Sequence, residues 1–417
     1  MNISKDIFKY VDLLRGEMPV QESVQLFSVI AFMVKNDIDG ISDLLRLNKQ
    51  DTVEQLKLKT ASDEKLQWFN SNLFTVSSTQ LQEIIQFFLE LWRSNSDYEI
   101  QVLTMLKELN LSLKFGSVDT DSEVITNIFE KLIGSCKGKI LYDGACGLAI
   151  TPIALQAEKT ILRDINTTTI GIASILADLA GIEVDIKRSD SLVDNEASHG
   201  VDLVVSNPPI GVRVQSQLVS GNEYLKDQFI QAKIPSSASE SLWIQQALHQ
   251  LNDQGKAYLL IIPGWLFRGG YDAELREKIV EKNLVESVTL LPAGTLLNSA
   301  VEMSLLVLNK AKVSHDIRLV DGRNFGTRKR GKLVLTDEET QQIVNLINGH
   351  DTESNLVKDV SIQEVRSKKY SLHCSEYFEH ELNLEELDLG EELKALSALQ
   401  NEYSITQVKL TQLLGQI

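Results

Sequence analysis

Two adjacent prolines, Pro208 and Pro209, end the run Val201-Asp-Leu-Val-Val-Ser-Asn-Pro-Pro-Ile210 and restrict what the surrounding chain can fold into. The apolar residues of the run, Val201 and Leu203 to Val205, have the pattern of a strand buried in a parallel sheet. Consecutive prolines remove two backbone donors and fix φ, so no ladder continues beyond Asn207. The Asn207 carboxamide is thereby held at the mouth of a sheet, where doubly wound folds bind their ligands. Its side-chain oxygen and the Pro208 carbonyl are two acceptors suited to an exocyclic amino group. An ordinary strand-ending turn has the same local sequence, so the rest of the chain decides between the two.

From about residue 139 strands and helices alternate. Short apolar strands are predicted at 139–142, 160–162, 184–186, 202–205, 257–262, 285–291 and 303–308, the last antiparallel to its neighbour. Helical stretches at 168–180, 240–251 and 272–282 lie between them. Alternation of this kind predicts an α/β fold, a Rossmann-like, doubly wound and mostly parallel sheet with helices on both faces. Residues 1–112 read instead as an N-terminal helical domain, with stripes such as Val24, Phe27, Ile30, Ala31 and Val34, and Ile100, Leu103, Leu106 and Leu109. The core is expected over 113–335, with the sheet pattern ending near residue 312. Residues 336–417 read as a C-terminal helical tail, whose leucines from 384 to 414 have the spacing of a helical hairpin or coiled coil that packs on a partner.

Composition narrows the function classes. No apolar run approaches the ~20 residues of a membrane span, and Met1-Asn-Ile-Ser-Lys-Asp6 lacks the layout of a signal peptide, which predicts a cytoplasmic protein without a membrane role. Cys136, Cys146 and Cys374 have no metal-ligand spacing. A formal net charge of -17 argues against a chain that grips nucleic acid alone over a broad surface. Thr327-Arg-Lys-Arg-Gly-Lys332 is a short basic loop, read as a solvated turn.

Chemistry collects at strand ends. Tyr142-Asp-Gly-Ala-Cys-Gly147 follows the first strand, and its small residues let a ligand approach a turn whose helix should present free amides. Asp164 ends the next strand, where a carboxylate can accept from the two hydroxyls of a ribose. Asp190 follows the third, where it can accept from the amino group of an adenine. Three acids in register, followed by Asn-Pro-Pro on a fourth strand, fit a nucleoside lying across the sheet edge with its reactive end toward Asn207. Trp265 and Phe267, in Pro263-Gly-Trp-Leu-Phe-Arg268, are expected in the core.

These residues resemble the modification (M) subunits of type I restriction systems, which are adenine-N6 DNA methyltransferases dependent on S-adenosyl-L-methionine. Asp143-Gly-Ala-Cys-Gly147 is similar to that family's Asp-Pro-Ala-Cys-Gly loop, Asp164-Ile-Asn-Thr-Thr-Thr169 to its Glu-x-Asn-x-x-Thr segment, and Asn207-Pro208-Pro209 to its catalytic motif. Gly255 to Gly270 and Leu291-Pro-Ala-Gly294 resemble blocks specific to it. The resemblance implies that Thr120, Asp143, Ala145, Gly147, Asp164, Asp190 and Asn207 bind the cofactor. It implies that Asn207, Pro208, Pro209 and Ile210 form the catalytic segment, with no metal. The implied substrate is double-stranded DNA with the target adenine flipped out, and the implied partners are a specificity subunit and a second M chain.

Four departures from the family pattern stand out. Ile210 stands where an aromatic would stack on the flipped base, and Leu148-Ala149-Ile150 replaces Thr-Gly-Gly. Gly144 replaces the loop proline, and Asp119-Thr120-Asp121 replaces Phe-Thr-Pro. Ala149 is expected to carry its Cβ at a position that calls for positive φ. Because the differences cluster around the ligands, a second reading is a methyltransferase fold serving as a cofactor- or DNA-binding scaffold.

Overall fold

Strand-forming runs with Val, Ile and Leu on both faces are stable only when both faces are covered. The computed structural model of the chain meets that demand; it describes residues 3–69, 71–74, 76–94, 97–112, 121–225, 230, 233–296, 301–329, 332–350, 355–378 and 389–414. The strands are β1 (Ile140–Asp143), β2 (Lys159–Asp164), β3 (Val184–Arg188), β4 (Val201–Ser206), β5 (Leu251–Ile261) and β6 (Val285–Leu290). They continue as β7 (Ser304–Asn309), β8 (Ile317–Asp321), β9 (Thr327–Lys329), β10 (Lys332–Val334) and β11 (Val357–Val360). Among the described residues one sheet runs in the order β11-β8-β6-β7-β5-β4-β1-β2-β3. Strand β7 is antiparallel to both neighbours, as its sequence predicts, while β3, β2, β1, β4 and β5 are mutually parallel.

Helices α1 (Ile3–Leu14), α2 (Val20–Asn36), α3 (Ile38–Leu44), α4 (Lys49–Ser62), α5 (Ser78–Ser94) and α6 (Tyr98–Ser112) precede the sheet. Within it come α7 (Glu123–Ile133), α8 (Ile150–Leu155), α9 (Thr167–Leu179), α10 (Ser216–Val219), α11 (Ser239–Gln250), α12 (Tyr271–Glu281), α13 (Asp337–Asn348) and α14 (Ile362–Ser367). The last helix is α15 (Leu389–Leu414). The chain divides into two units, Met1–Tyr377 and Phe378–Ile417. Among the described residues no helix is long and apolar enough to cross a membrane.

The first six helices share one continuous core with the sheet. Phe27, Ile30, Phe88 and Leu106 from the helical layer belong to the same buried cluster as Ile172, Ala173, Ile175 and Leu176 of α9. Gly171 makes the close approach possible, because a Cβ there would lie 2.9 Å from both the Phe69 ring and Trp68. Lys35 Nζ adds a charged tie, donating at 2.8 Å to the Asp178 carboxylate at the end of α9. On the opposite face α7 and α13 cover β4, β5 and β7 through Phe129, Tyr258, Ile343 and Val344.

Several expectations change. The sheet does not stop near residue 312, since β8 and β11 extend it. Both carry charges between their apolar residues (Arg318 in β8, Lys358 and Asp359 in β11), so their strand character comes from pairing rather than local pattern. Thr327–Lys329 of the basic segment form the exposed strand β9, and Lys332 opens its partner β10. In α6 the buried stripe is Tyr98, Val102, Met105, Leu106 and Leu109, which turns Ile100 outward. Trp265 is buried as expected, whereas Phe267 is 55% exposed and meets His373 edge-on.

Because no space exists beyond Gly171, Gly171→Leu is expected to lower stability by about 1–3 kcal/mol through overpacking. Thermal melting checks this. An unchanged melting temperature would show that the helical layer is not seated on α9.

Candidate active site

Adjacent parallel strands β3, β2, β1 and β4 deliver their carboxyl ends to one edge. The order of the sheet reverses between β1 and β4, the place where doubly wound folds open a crevice. Asp143 closes β1, Asp164 closes β2, Asp190 lies two residues beyond β3, and Asn207 lies one beyond β4. A cavity of about 450 Å³ opens there, lined among others by Gly144, Ala145, Gly147, Asp164, Asp190 and Asn207. Its apolar wall includes Leu192, Val193, Leu218 and Trp243. That volume falls in the range of nucleotide-sized ligand sites, roughly 300–1,000 Å³.

The acids at the strand ends fold the loops that form the cavity. Asp143 Oδ1 accepts from the Ala145 amide at 3.0 Å and from the Ser206 hydroxyl at 3.1 Å. Asp164 accepts from the Gly147 amide at 3.0 Å and from the Asn166 amide at 2.8 Å. Asp190 Oδ1 accepts from Leu192 at 3.1 Å and Val193 at 3.3 Å, leaving its other oxygen as an acceptor. The amide of Cys146 donates to the Arg163 carbonyl at 2.9 Å and that of Ala149 to the Cys146 carbonyl at 2.7 Å. The amides of Ala145, Cys146, Gly147 and Ala149 are thus used within the protein. What faces the cavity is small side chains and carboxylate oxygens.

Asn207, half-buried, lines the cavity, and its Nδ2 donates to Asp121 Oδ1 at 3.1 Å. Pro208 is buried, Pro209 is exposed on the cavity wall, and Ile210 is 38% exposed. Asp143 is buried beneath the loop. Thr120 lies outside the described residues. Burial, with Asp143 and Asp164 close by, pushes the Cys146 thiol well above its usual range, which keeps it protonated and unreactive. Arg268 is taken up by an ion pair with Asp272 at 2.8 Å.

The loop differences from the M-subunit pattern acquire a physical account. Gly147 and Ala149 both adopt positive φ, 52° and 56°, so Ala149 carries a Cβ in left-handed conformation as expected. Leu148 and Ala149 are buried in the core shared with the N-terminal helices, and Ile150 packs against it. The three side chains exchange loop flexibility for packing.

Residues 105–386 match the sequence model of the N-6 DNA methylase family, about two thirds of the chain. The chain belongs to that family. It is 30% identical over 275 residues to the type I restriction enzyme MpnII methylase subunit of Mycoplasma pneumoniae, covering 60% of this chain and 50% of that one. It is 25% identical over 400 residues to the MjaVIII methylase subunit of Methanocaldococcus jannaschii, covering 85% and 68%. The chain thus spans half the length of the Mycoplasma relative. The crystal structure of a type I restriction-modification methyltransferase subunit from Streptococcus thermophilus superposes with a TM-score of 0.73 at 14% identity, covering 90% of this chain and 99% of that one. This last likeness concerns the fold. Asn207-Pro208-Pro209 and the strand-end acids lie on one edge here. Arg213, Leu218 and Trp243 line this edge without a local signal in the sequence, since their place depends on contacts far along the chain. Asp121, visible in the sequence only as a departure from Phe-Thr-Pro, meets Asn207 here.

Loss of water pushes the Asp143 carboxyl well above the usual carboxylate range, and Asp121 and Asp164 push the same way against its hydrogen bonds. A carboxyl with a folded pKa above its unfolded value of about 3.9 holds its proton more tightly in the native state. The stability it contributes is present below that value and is lost as pH rises through the folded pKa. Asp143→Asn keeps an acceptor for Ala145 and Ser206 without the buried charge. It is expected to melt higher than wild type at pH 8, with the two converging near pH 4. A lower melting temperature for the variant at pH 8 would contradict this account.

Proposed function

We propose that the chain methylates the N6 amino group of adenine in DNA, using S-adenosyl-L-methionine. The observation that carries this reading is the single cavity that joins the acidic rim of Asp164 and Asp190 to the Asn207 carboxamide. Asp164 is suited to the ribose hydroxyls of the cofactor and Asp190 to its adenine amino group, while Gly144, Ala145 and Gly147 leave room for close approach. The cofactor, when bound, supplies an activated methyl group on a sulfonium. Asn207 Oδ1 and the Pro208 carbonyl accept the two hydrogens of the target amino group, aim its nitrogen, and stabilise the positive charge that develops on it. The acids at the strand ends favour a cationic donor in the same cavity. An adenine inside a duplex cannot reach this edge, so the base enters flipped out.

A chain of net charge -17 needs help to hold DNA. A specificity subunit that reads the target, together with a second M chain, supplies that help in this reading. Helix α15 offers a surface for it: Leu393, Leu396, Tyr403 and Leu410 are all more than half exposed and follow a spacing close to a heptad.

Calorimetric titration of the purified chain with S-adenosyl-L-methionine should give saturable binding that Asp164→Ala abolishes. Tritiated methyl transfer to adenine-containing DNA should be lost in Asn207→Ala, and equal incorporation by that variant would remove Asn207 from its role. Ile210→Phe restores an aromatic surface next to Asn-Pro-Pro. Base stacking of about 1–3 kcal/mol should then tighten binding of an unpaired adenine oligonucleotide at least several-fold. No gain would mean that another group already stacks on the base.

A further inference from the structure

We infer that Asp121 is a positioning residue that locks the Asn207 carboxamide with its oxygen toward the substrate amino group. The inference rests on the methyltransferase reading and adds a residue to it. An asparagine amide presents an acceptor on one side and a donor on the other, and rotation about its last bond interchanges them. Only one of the two orientations offers an acceptor to an amino group. Asp121 Oδ1 takes the Asn207 Nδ2 at 3.1 Å, across 86 residues of sequence. A carboxylate has lone pairs and no proton to give, so it selects the NH2 side and leaves Oδ1 for the cavity that Asn207 lines. The anionic acceptor also polarises the amide and makes Oδ1 a stronger acceptor.

Asp121 is itself held. The Thr151 hydroxyl and amide hydrogen-bond to its carboxylate. The Thr151 hydroxyl meets that of Thr126 at 3.0 Å, which joins α8 to α7 behind the acid. The next residue, Ser122, caps α7 by accepting from the Ile125 amide at 3.2 Å and donates to the Thr295 carbonyl at 2.5 Å, tying the start of α7 to the loop after β6. Loss of water raises the Asp121 carboxyl above its ordinary range, opposed by the bonds from Thr151 and Asn207. The pairing occupies a position where the M-subunit pattern has proline, which has no side-chain acceptor.

Selective labelling with 15N-asparagine reads the pairing directly, with the Asn207 side-chain resonance assigned by its loss in Asn207→Ala. In Asp121→Ala that resonance should move toward the free amide position, whereas Asp121→Asn, which retains an acceptor oxygen, should keep it near the wild-type position. Methyl transfer from S-adenosyl-L-methionine to a single-stranded adenine oligonucleotide reads the consequence. Asp121→Ala should lose about ten- to a hundred-fold in kcat, the effect of one charge-assisted hydrogen bond. Its cofactor Kd should stay within about two-fold, and Asp121→Asn should recover most of the rate. A wild-type kcat in Asp121→Ala would overturn the inference. So would an unmoved resonance, or a fall in kcat matched by equal losses in cofactor affinity and melting temperature in both variants. If the wild-type chain transfers no methyl group, the functional reading falls, and the resonance comparison still decides whether the pair exists.

Discussion

The cavity exists because carboxylates at the ends of parallel strands accept the amides of their own loops. Asp143 holds the turn that follows β1, Asp164 reaches across to the same turn from β2, and Asp190 folds the segment after β3. Two of these bonds are local and the third crosses from β2 to the turn after β1; together they give three crossover loops one shared geometry. A charged acceptor makes roughly twice as strong a bond as a neutral one, and at a strand end it also removes an orphan donor. The acids carry an opposing cost, since Asp143 loses nearly all of its water. On the proposed function, the acids that shape the loops are also matched to a cationic methyl donor.

The loop after β1 shows how packing and ligand geometry trade against each other. Left-handed backbone at Ala149 costs roughly 1–2 kcal/mol relative to glycine, and burying one methyl group returns about 0.8 kcal/mol. Leu148 and Ile150 add apolar contacts with the same core, which is continuous with α2, α5 and α9. The turn is therefore fastened to the N-terminal helical layer, and strain at one backbone position is offset by burial at its neighbours. Gly171 performs the complementary task by letting that layer approach α9 closely.

Much of this was legible in the sequence because the informative residues are tied to local pattern. Asp143 and Asp164 end their strands, while Asp190 and Asn207 follow theirs by two residues and one; the apolar runs of β1, β2 and β4 announce themselves by composition and by the small or proline residues near their ends. The strand character of β7 was legible in the same way. Strands β8 and β11 were not, because charges interrupt them and only neighbouring strands give them their conformation. The outward face of Ile100 depends on which stripe of α6 the other helices choose, and the exposure of Phe267 on the turn it occupies. The contact of Asp121 with Asn207 was the least legible: in the chain it reads as one acid replacing a proline ahead of a helix. Only the fold shows what it meets.

The two outermost strands of the sheet have a consequence for how the chain associates with others. Edge β3 exposes Asp185, Lys187 and Arg188, and edge β11 exposes Lys358 and Asp359, the latter gripped by Arg318 of β8 at 2.8 Å. Alternating charges along an open edge discourage a foreign strand from adding to it, since its side chains would have to bury or repel them. Nine strands could otherwise template fibrous growth. With both borders guarded, strand addition is disfavoured at either edge.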